Sequence, residues 1–268
     1  MSDKQNRLFV RNLSIQYRKP FVEICKSVSF DVRPGEIVGL LGPNGCGKSS
    51  LFWTIMSYLS KKDFGAETSG DVQAKAGATV SYVPQNYRQS FFKWANLMNN
   101  TRLALPSPLA TWGTTGEKIM ETAKELDVDL NLRLRPGSCS GGMLQQAAII
   151  RAFAKEPDII LADEPFAALD IEVVDRIRKA FRRIVKERQM VAMVILHNMQ
   201  DVVETCDRVI VVPNKPYTTE EQPLQLPINE DGLKLLRFID NENIDNELRQ
   251  MEAKNLSLIA ERVLTIQK

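Results

Sequence analysis

The octapeptide Gly42-Pro43-Asn44-Gly45-Cys46-Gly47-Lys48-Ser49 follows the apolar run Ile37 to Leu41 and opens a helical pattern at Ser49. It fits the phosphate-loop pattern G-x-x-x-x-G-K-[ST], and that context leaves few choices of architecture. Such a loop curls its backbone N–H groups round an anion only where a buried strand delivers it and a helix N-terminus completes it. A Gly-rich turn before a helix is the competing reading, and the strand and helix on either side argue against it. Further short apolar runs recur at Glu36 to Leu41, Thr79 to Val83, Asp158 to Ala162, Met193 to Leu196 and Arg208 to Val212. They are continuous rather than alternating, as in strands buried on both faces of a parallel sheet. Helical periodicity between them, at Ser50 to Leu59, Leu144 to Lys155 and Glu172 to Arg188, predicts an α/β domain with crossover helices.

Other segments break this rhythm. Leu8 to Tyr17 and Val28 to Val32, either side of Pro20, read as a small antiparallel subsheet. From about 86 to 150 the strand runs vanish and a helical insert is expected, with helices over Phe91 to Leu105 and Gly116 to Leu126 around a loop at Pro106 to Gly116. After Val212, Pro213, Pro216, Pro223 and Pro227 punctuate a polar linker, and Asp231 to Lys268 is helical in composition. In that tail Leu248, Met251, Ile259, Val263 and Ile266 suggest an amphipathic helix. The division expected is thus 1–212 for the nucleotide domain and 213–268 for linker and tail. Residues 213–268 carry 7 basic against 10 acidic residues.

Candidate chemistry gathers in two places. Lys48 would reach the β- and γ-phosphates, Ser49 would put its hydroxyl on Mg²⁺, and Ser50 could bond a nearer phosphate. The run Asp158-Ile159-Ile160-Leu161-Ala162-Asp163-Glu164-Pro165 ends a buried strand in two carboxylates, at the sheet edge where α/β ligands bind. Asp163 would hold Mg²⁺, and Glu164 is placed to polarise an attacking water. An acidic pair capping a helix is the plainer alternative. Cys46, at a helix N-terminus, is expected to have a lowered thiol pKa.

Composition removes several classes. With 35 basic and 33 acidic residues, net charge +2, bulk charge gives no reason to bind nucleic acid. The cluster Arg176, Arg178, Lys179, Arg182, Arg183, Lys186 and Arg188 reads as a solvated helix face. Cys25, Cys46, Cys139 and Cys206 are widely spaced, unlike a disulfide framework or a zinc site, and one His excludes a multi-His metal centre. No apolar run approaches the ~20 residues of a bilayer span. Met1 to Leu8 lacks the core of a secretory signal, so the chain is expected to start near Met1 and stay in the cytosol.

Cys139-Ser140-Gly141-Gly142-Met143, with its Ser 23 residues before Asp163, separates this chain from other phosphate-loop families. It resembles the Leu-Ser-Gly-Gly-Gln signature of the ATP-binding cassette (ABC) ATPases, and the resemblance runs over residues 8 to 212. It includes Gln85 after a strand (the Q-loop), Ala168-Leu169-Asp170 (the D-loop), His197 after a strand (the switch histidine) and Tyr17, matching the aromatic that stacks on adenine. Within the family it is similar to the ATPases of nitrate, sulfonate and taurine importers, through Met143, Phe166-Ala167-Ala168 and Phe91-Phe92-Lys93-Trp94. Cys139, Leu144 and Gln146 depart from that group's usual residues.

The resemblance implies an ATP-hydrolysing subunit of a transporter on the cytoplasmic face of the inner membrane, powering import of a small solute. It implies ATP and Mg²⁺ bound by Tyr17, Gly42, Pro43, Asn44, Gly45, Cys46, Gly47, Lys48, Ser49, Ser50, Gln85 and Asp163. Gln85 would join Ser49 and Asp163 at the metal, and Glu164, His197 and Lys48 would serve catalysis. Ser140, Gly141 and Gly142 would close over ATP held by a second cassette, so a dimer is expected. Transmembrane permease subunits and a solute-binding protein are the other expected partners, with no direct contact to nucleic acid. A soluble cassette ATPase acting on nucleic acid or another macromolecule stays open as the alternative.

Overall fold

The computed structural model describes residues 7–18, 21–62, 65–105, 112–197, 199–212 and 224–228. A three-stranded antiparallel sheet is built from β1 (Leu8–Arg18), β2 (Phe21–Val32) and β4 (Glu67–Gln73), in the order β2-β1-β4. Along β1 the buried positions change from Leu8 and Val10 to Leu13 and Ile15, a switch of parity that a regular strand cannot make. The register slips between Val10 and Leu13, where Asn12 takes a left-handed φ of 48°. Opposite this bulge stands Gly70, where a Cβ would lie 2.4 Å from the Asn12 carbonyl oxygen.

The second sheet has the order β5-β6-β7-β3-β8-β9, from β3 (Ile37–Leu41), β5 (Val80–Val83), β6 (Ile159–Asp163), β7 (Val191–Ile195), β8 (Arg208–Val211) and β9 (Leu224–Pro227). The first five strands of that order pair in parallel and β9 joins antiparallel. The pleat divides their side chains between two cores. Ile37, Ile160, Ala162, Ala192 and Val194 face one with Phe153 and Phe181, whose rings meet edge to face at 5.1 Å. Val38, Leu40, Ile159, Leu161 and Met193 face the other with Phe52 and Ile55 of α1 (Lys48–Ser60) and the antiparallel sheet. The remaining helices are α2 (Leu97–Leu103), α3 (Trp112–Glu125), α4 (Gly141–Phe153), α5 (Ile171–Glu187) and α6 (Met199–Thr205).

Three expectations are corrected. The helix expected over Phe91 to Leu105 is confined to Leu97–Leu103. Asn96 caps it by accepting from the Asn99 N–H, and the Asn100 amide donates to the carbonyls of Phe92, Ala95 and Asn96, so side chains satisfy backbone that would otherwise wind on. Helix α3 begins at Trp112, earlier than the expected Gly116. The sheet extends past residue 212, because Leu224–Pro227 pairs with β8 from Arg208↔Pro227 to Val211↔Leu224. A terminal proline suits such an edge strand. Apart from 224–228, the expected linker and helical tail, like 106–111 of the expected loop, lie outside the described residues.

The basic cluster on α5 is paired rather than free. Arg178, buried, bridges Asp201 and Glu204 of α6; Arg182 and Lys186 both reach Asp207 at 3.1 Å; Lys179 meets Asp175 and Arg188 meets Glu125. Among the described residues, no helix is long and apolar enough to cross a membrane.

Candidate active site

The site forms where β3, β6 and β7 end side by side. Strand β3 runs into the phosphate loop and α1, with Gly47 as helix N-cap at φ 101°. A Cβ there would lie 2.3 Å from Ile24 Cγ2, and one at Gly42 would lie 2.3 Å from the Val212 carbonyl oxygen. The loop is therefore glycine-bound by backbone conformation at one position and close packing at both. Lys48 folds back over the loop, donating to the carbonyls of Gly42 at 2.7 Å and Pro43 at 2.8 Å. Ser49 Oγ donates to Asp163 Oδ2 at 2.7 Å.

Strand β6 delivers Asp163 as its last residue, and Glu164 turns out of line with φ 49°. Such a φ costs a non-glycine residue about 1–2 kcal/mol and persists only where neighbours hold it. The Glu164 N–H donates to the Ile195 carbonyl at 3.1 Å, while buried Gln145 of α4 donates to the Glu164 carbonyl at 2.8 Å. The same Gln145 amide accepts from the Ala168 N–H at 2.7 Å. Glu164 Oε1 in turn meets Gln85 Nε2 at 2.5 Å and His197 Nε2 at 2.7 Å. Burial lifts the Asp163 carboxyl above the ordinary range; the Ser49 bond opposes the rise and the neighbouring Glu164 charge adds to it.

These groups share one cleft of about 280 Å³, lined by Asn44, Gly45, Gly47, Lys48, Ser49, Ser50, Gln85, Asp163, Glu164 and His197, with Ile24 and Ile195. Tyr17 borders it through its hydroxyl, 3.4 Å from Ser50 Oγ. Ser140, Gly141 and Gly142 are not among the residues lining the cleft. Ser140 caps α4, accepting from the Met143 N–H at 3.2 Å. Cys46 corrects the expectation of an acidic thiol: it is buried, and desolvation raises its pKa despite the opposing Lys48 charge. Sequence reasoning also missed Gln145, and Tyr82 of β5, whose hydroxyl lies 3.3 Å from Asp163 Oδ2. Each is an unremarkable residue in its own element, and only the packing of that element against β6 reveals it.

The phosphate-loop pattern, the strand-end Asp163-Glu164 pair and His197 meet in one cleft of a two-sheet α/β fold. The chain belongs to the ABC transporter family, whose match covers residues 25–167. It is 31% identical over 227 residues to the nitrate import ATP-binding protein NrtC of Synechococcus elongatus, covering 83% of this chain and 34% of that one. It therefore spans about a third of that relative's length. The nitrate transport protein NasD of Klebsiella oxytoca is 32% identical, with 72% of this chain and 74% of the relative covered. The molybdate/tungstate import ATP-binding protein WtpC of Thermococcus kodakarensis is also 32% identical, with 86% and 70% covered. A bacterial ABC transporter cassette solved as a dimer superposes with a TM-score of 0.69 at 20% identity, over 83% of this chain and 99% of that one.

Proposed function

We propose that this chain is the ATP-hydrolysing subunit of a membrane importer for a small anionic solute. One observation carries the chemistry: Glu164 stands one residue past Asp163, at the mouth of the phosphate-loop cleft, with Oε1 gripped by both Gln85 and His197. A carboxylate so held can take the proton of a water as its oxygen attacks the γ-phosphorus; the bond to the β,γ-bridging oxygen breaks, and ADP and phosphate leave. Lys48 turns from the Gly42 and Pro43 carbonyls onto phosphate oxygens. His197 orients the water, Asn44, Gly45 and Gly47 supply backbone N–H groups, and Tyr17 stacks on the base. The donors near Ser49 fit Mg²⁺, since a hydroxyl, the Asp163 carboxylate and the Gln85 amide are hard oxygens too few to close a cage, leaving room for phosphate and water. Ser49, Asp163 and Gln85 would hold the ion, which would supply charge neutralisation at the phosphates.

Ser140 caps α4, and Gly141 and Gly142 open it with little side-chain bulk, at a helix N-terminus suited to an anion held by a second cassette. Phe92 and Trp94 pack with tilted rings 5.4 Å apart and are exposed, close after Gln85 in the chain, where a membrane-spanning partner would dock. The named cargoes of the relatives, nitrate and molybdate or tungstate, are oxyanions, which supports an anionic solute. A binding protein would deliver it to permease subunits from the outer side, and this chain would act on them at the cytoplasmic face of the inner membrane. Co-expression with candidate permease subunits tests the reading: co-purification and ATPase activity stimulated by loaded binding protein in proteoliposomes support it. Activity stimulated by nucleic acid and indifferent to membrane subunits would overturn it.

A further inference from the structure

Asp163 is gripped from two sides, and only one grip belongs to the phosphate loop. On α1, Ser49 and Trp53 stand four residues apart and so lie on one helix face. Ser49 donates directly to Asp163 Oδ2, whereas Trp53 Nε1 donates to the Tyr82 hydroxyl at 3.4 Å, and that hydroxyl donates to the same Oδ2 at 3.3 Å. Tyr82 lies on β5, beside β6 at the register Tyr82↔Leu161, so its ring reaches past Leu161 to the strand's last residue. An indole from α1, a phenol from β5 and a carboxylate from β6 thus form one chain.

We propose that Tyr82, seated by Trp53, is a positioning residue for the metal: it fixes the Asp163 carboxylate so that the other oxygen is aimed at Mg²⁺. Two hydroxyls converge on Oδ2, and this removes the carboxylate's rotational freedom before the ion arrives. Groups that orient a metal ligand through such a bond commonly change metal affinity by about 10–100-fold when removed. Neither Tyr82 nor Trp53 touches the nucleotide or the attacking water in this scheme, so binding of metal-free nucleotide is independent of both. Trp53 is half exposed and coupled to the carboxylate through one hydroxyl, so its emission reports occupancy of the metal position.

The inference rests on the assignment of Asp163 to Mg²⁺, and the test separates the two. In the full chain with Trp94→Phe and Trp112→Phe, leaving Trp53 as the only indole, Mg²⁺ is titrated in the presence of a fluorescent non-hydrolysable ATP analogue, whose signal gives the midpoint in every variant while Trp53 emission is read beside it. Tyr82→Phe is expected to raise the half-saturating Mg²⁺ concentration about 10-fold. Analogue affinity in EDTA stays within about twofold, kcat at saturating Mg²⁺ is preserved, and the Trp53 response to Mg²⁺ is lost. Trp53→Phe, followed by nucleotide binding, shifts the midpoint the same way by less. A midpoint unmoved by Tyr82→Phe but moved by Asp163→Asn overturns the role of Tyr82 alone. A midpoint unmoved by Asp163→Asn overturns the metal assignment beneath it.

Discussion

Two adjacent carboxylates carry opposite burdens. Asp163 is buried and its carboxyl is raised by desolvation, while Glu164 holds a left-handed backbone and half of its carboxylate is occupied by Gln85 and His197. Glu164→Gln keeps the shape and loses the base; kcat is expected to fall about 10²–10⁴-fold while nucleotide binding persists, and turnover within a few-fold of wild type would remove Glu164 from that role. For Asp163 the linkage has a definite sign. Its folded pKa lies above the unfolded value, so between the two the folded state binds more protons, and this contribution to stability fades as pH rises through the folded value. Asp163→Asn should therefore flatten the pH dependence of the denaturation midpoint on the mildly acidic side and raise stability at neutral pH in metal-free protein. An unchanged slope would place the raised pKa in doubt. The buried, raised Cys46 thiol is expected to alkylate slowly, against the reactivity its helix-start position suggests in sequence.

Elements differ sharply in how far they can be read from sequence. The parallel strands are legible because burial on both faces leaves continuous apolar runs, and Lys48, Ser49, Asp163 and Glu164 are legible because each motif is contiguous. Strand β4, Glu-Thr-Ser-Gly-Asp-Val-Gln, buries only Val72, so its pairing with β1 leaves almost no pattern. Asn100 and Asn96 hold 92–96 out of a helix by long-reaching amide bonds that no periodicity reveals. Gln145 escaped for a related reason: on α4 it looks like any polar helical residue, yet it ties that helix to both the Glu164 carbonyl and the Ala168 N–H. Gln145→Leu removes the partner of two part-buried backbone groups, at a cost of at most about 1–3 kcal/mol each. Expected are a lower unfolding midpoint and a kcat reduced at least about 10-fold, with ATP affinity within about threefold. Equal loss of affinity and kcat would make Gln145 a general packing residue instead.

At the scale of the whole molecule, exposed apolar surface and paired charge point the same way. Arg178, Lys179, Arg182 and Lys186 of α5 pair with carboxylates of their own chain, while Phe92 and Trp94 are exposed. Trp94→Asp is expected to weaken co-purification with membrane subunits at least about tenfold while the chain's own ATPase rate stays within about twofold, the mark of a residue used only at an interface. A parallel loss of basal activity would count against that use. The edge strand β9 adds a mechanical consequence. Its Gln225 is held by Arg208 of β8, which also grips Glu36 at 2.8 Å, and β8 is paired along its length with β3. Tension applied to the polypeptide beyond Ile228 would load β9 in shear, pass across two strand pairings and arrive at the strand that runs into Gly42, so the nucleotide loop sits at the far end of a tether only three strands long.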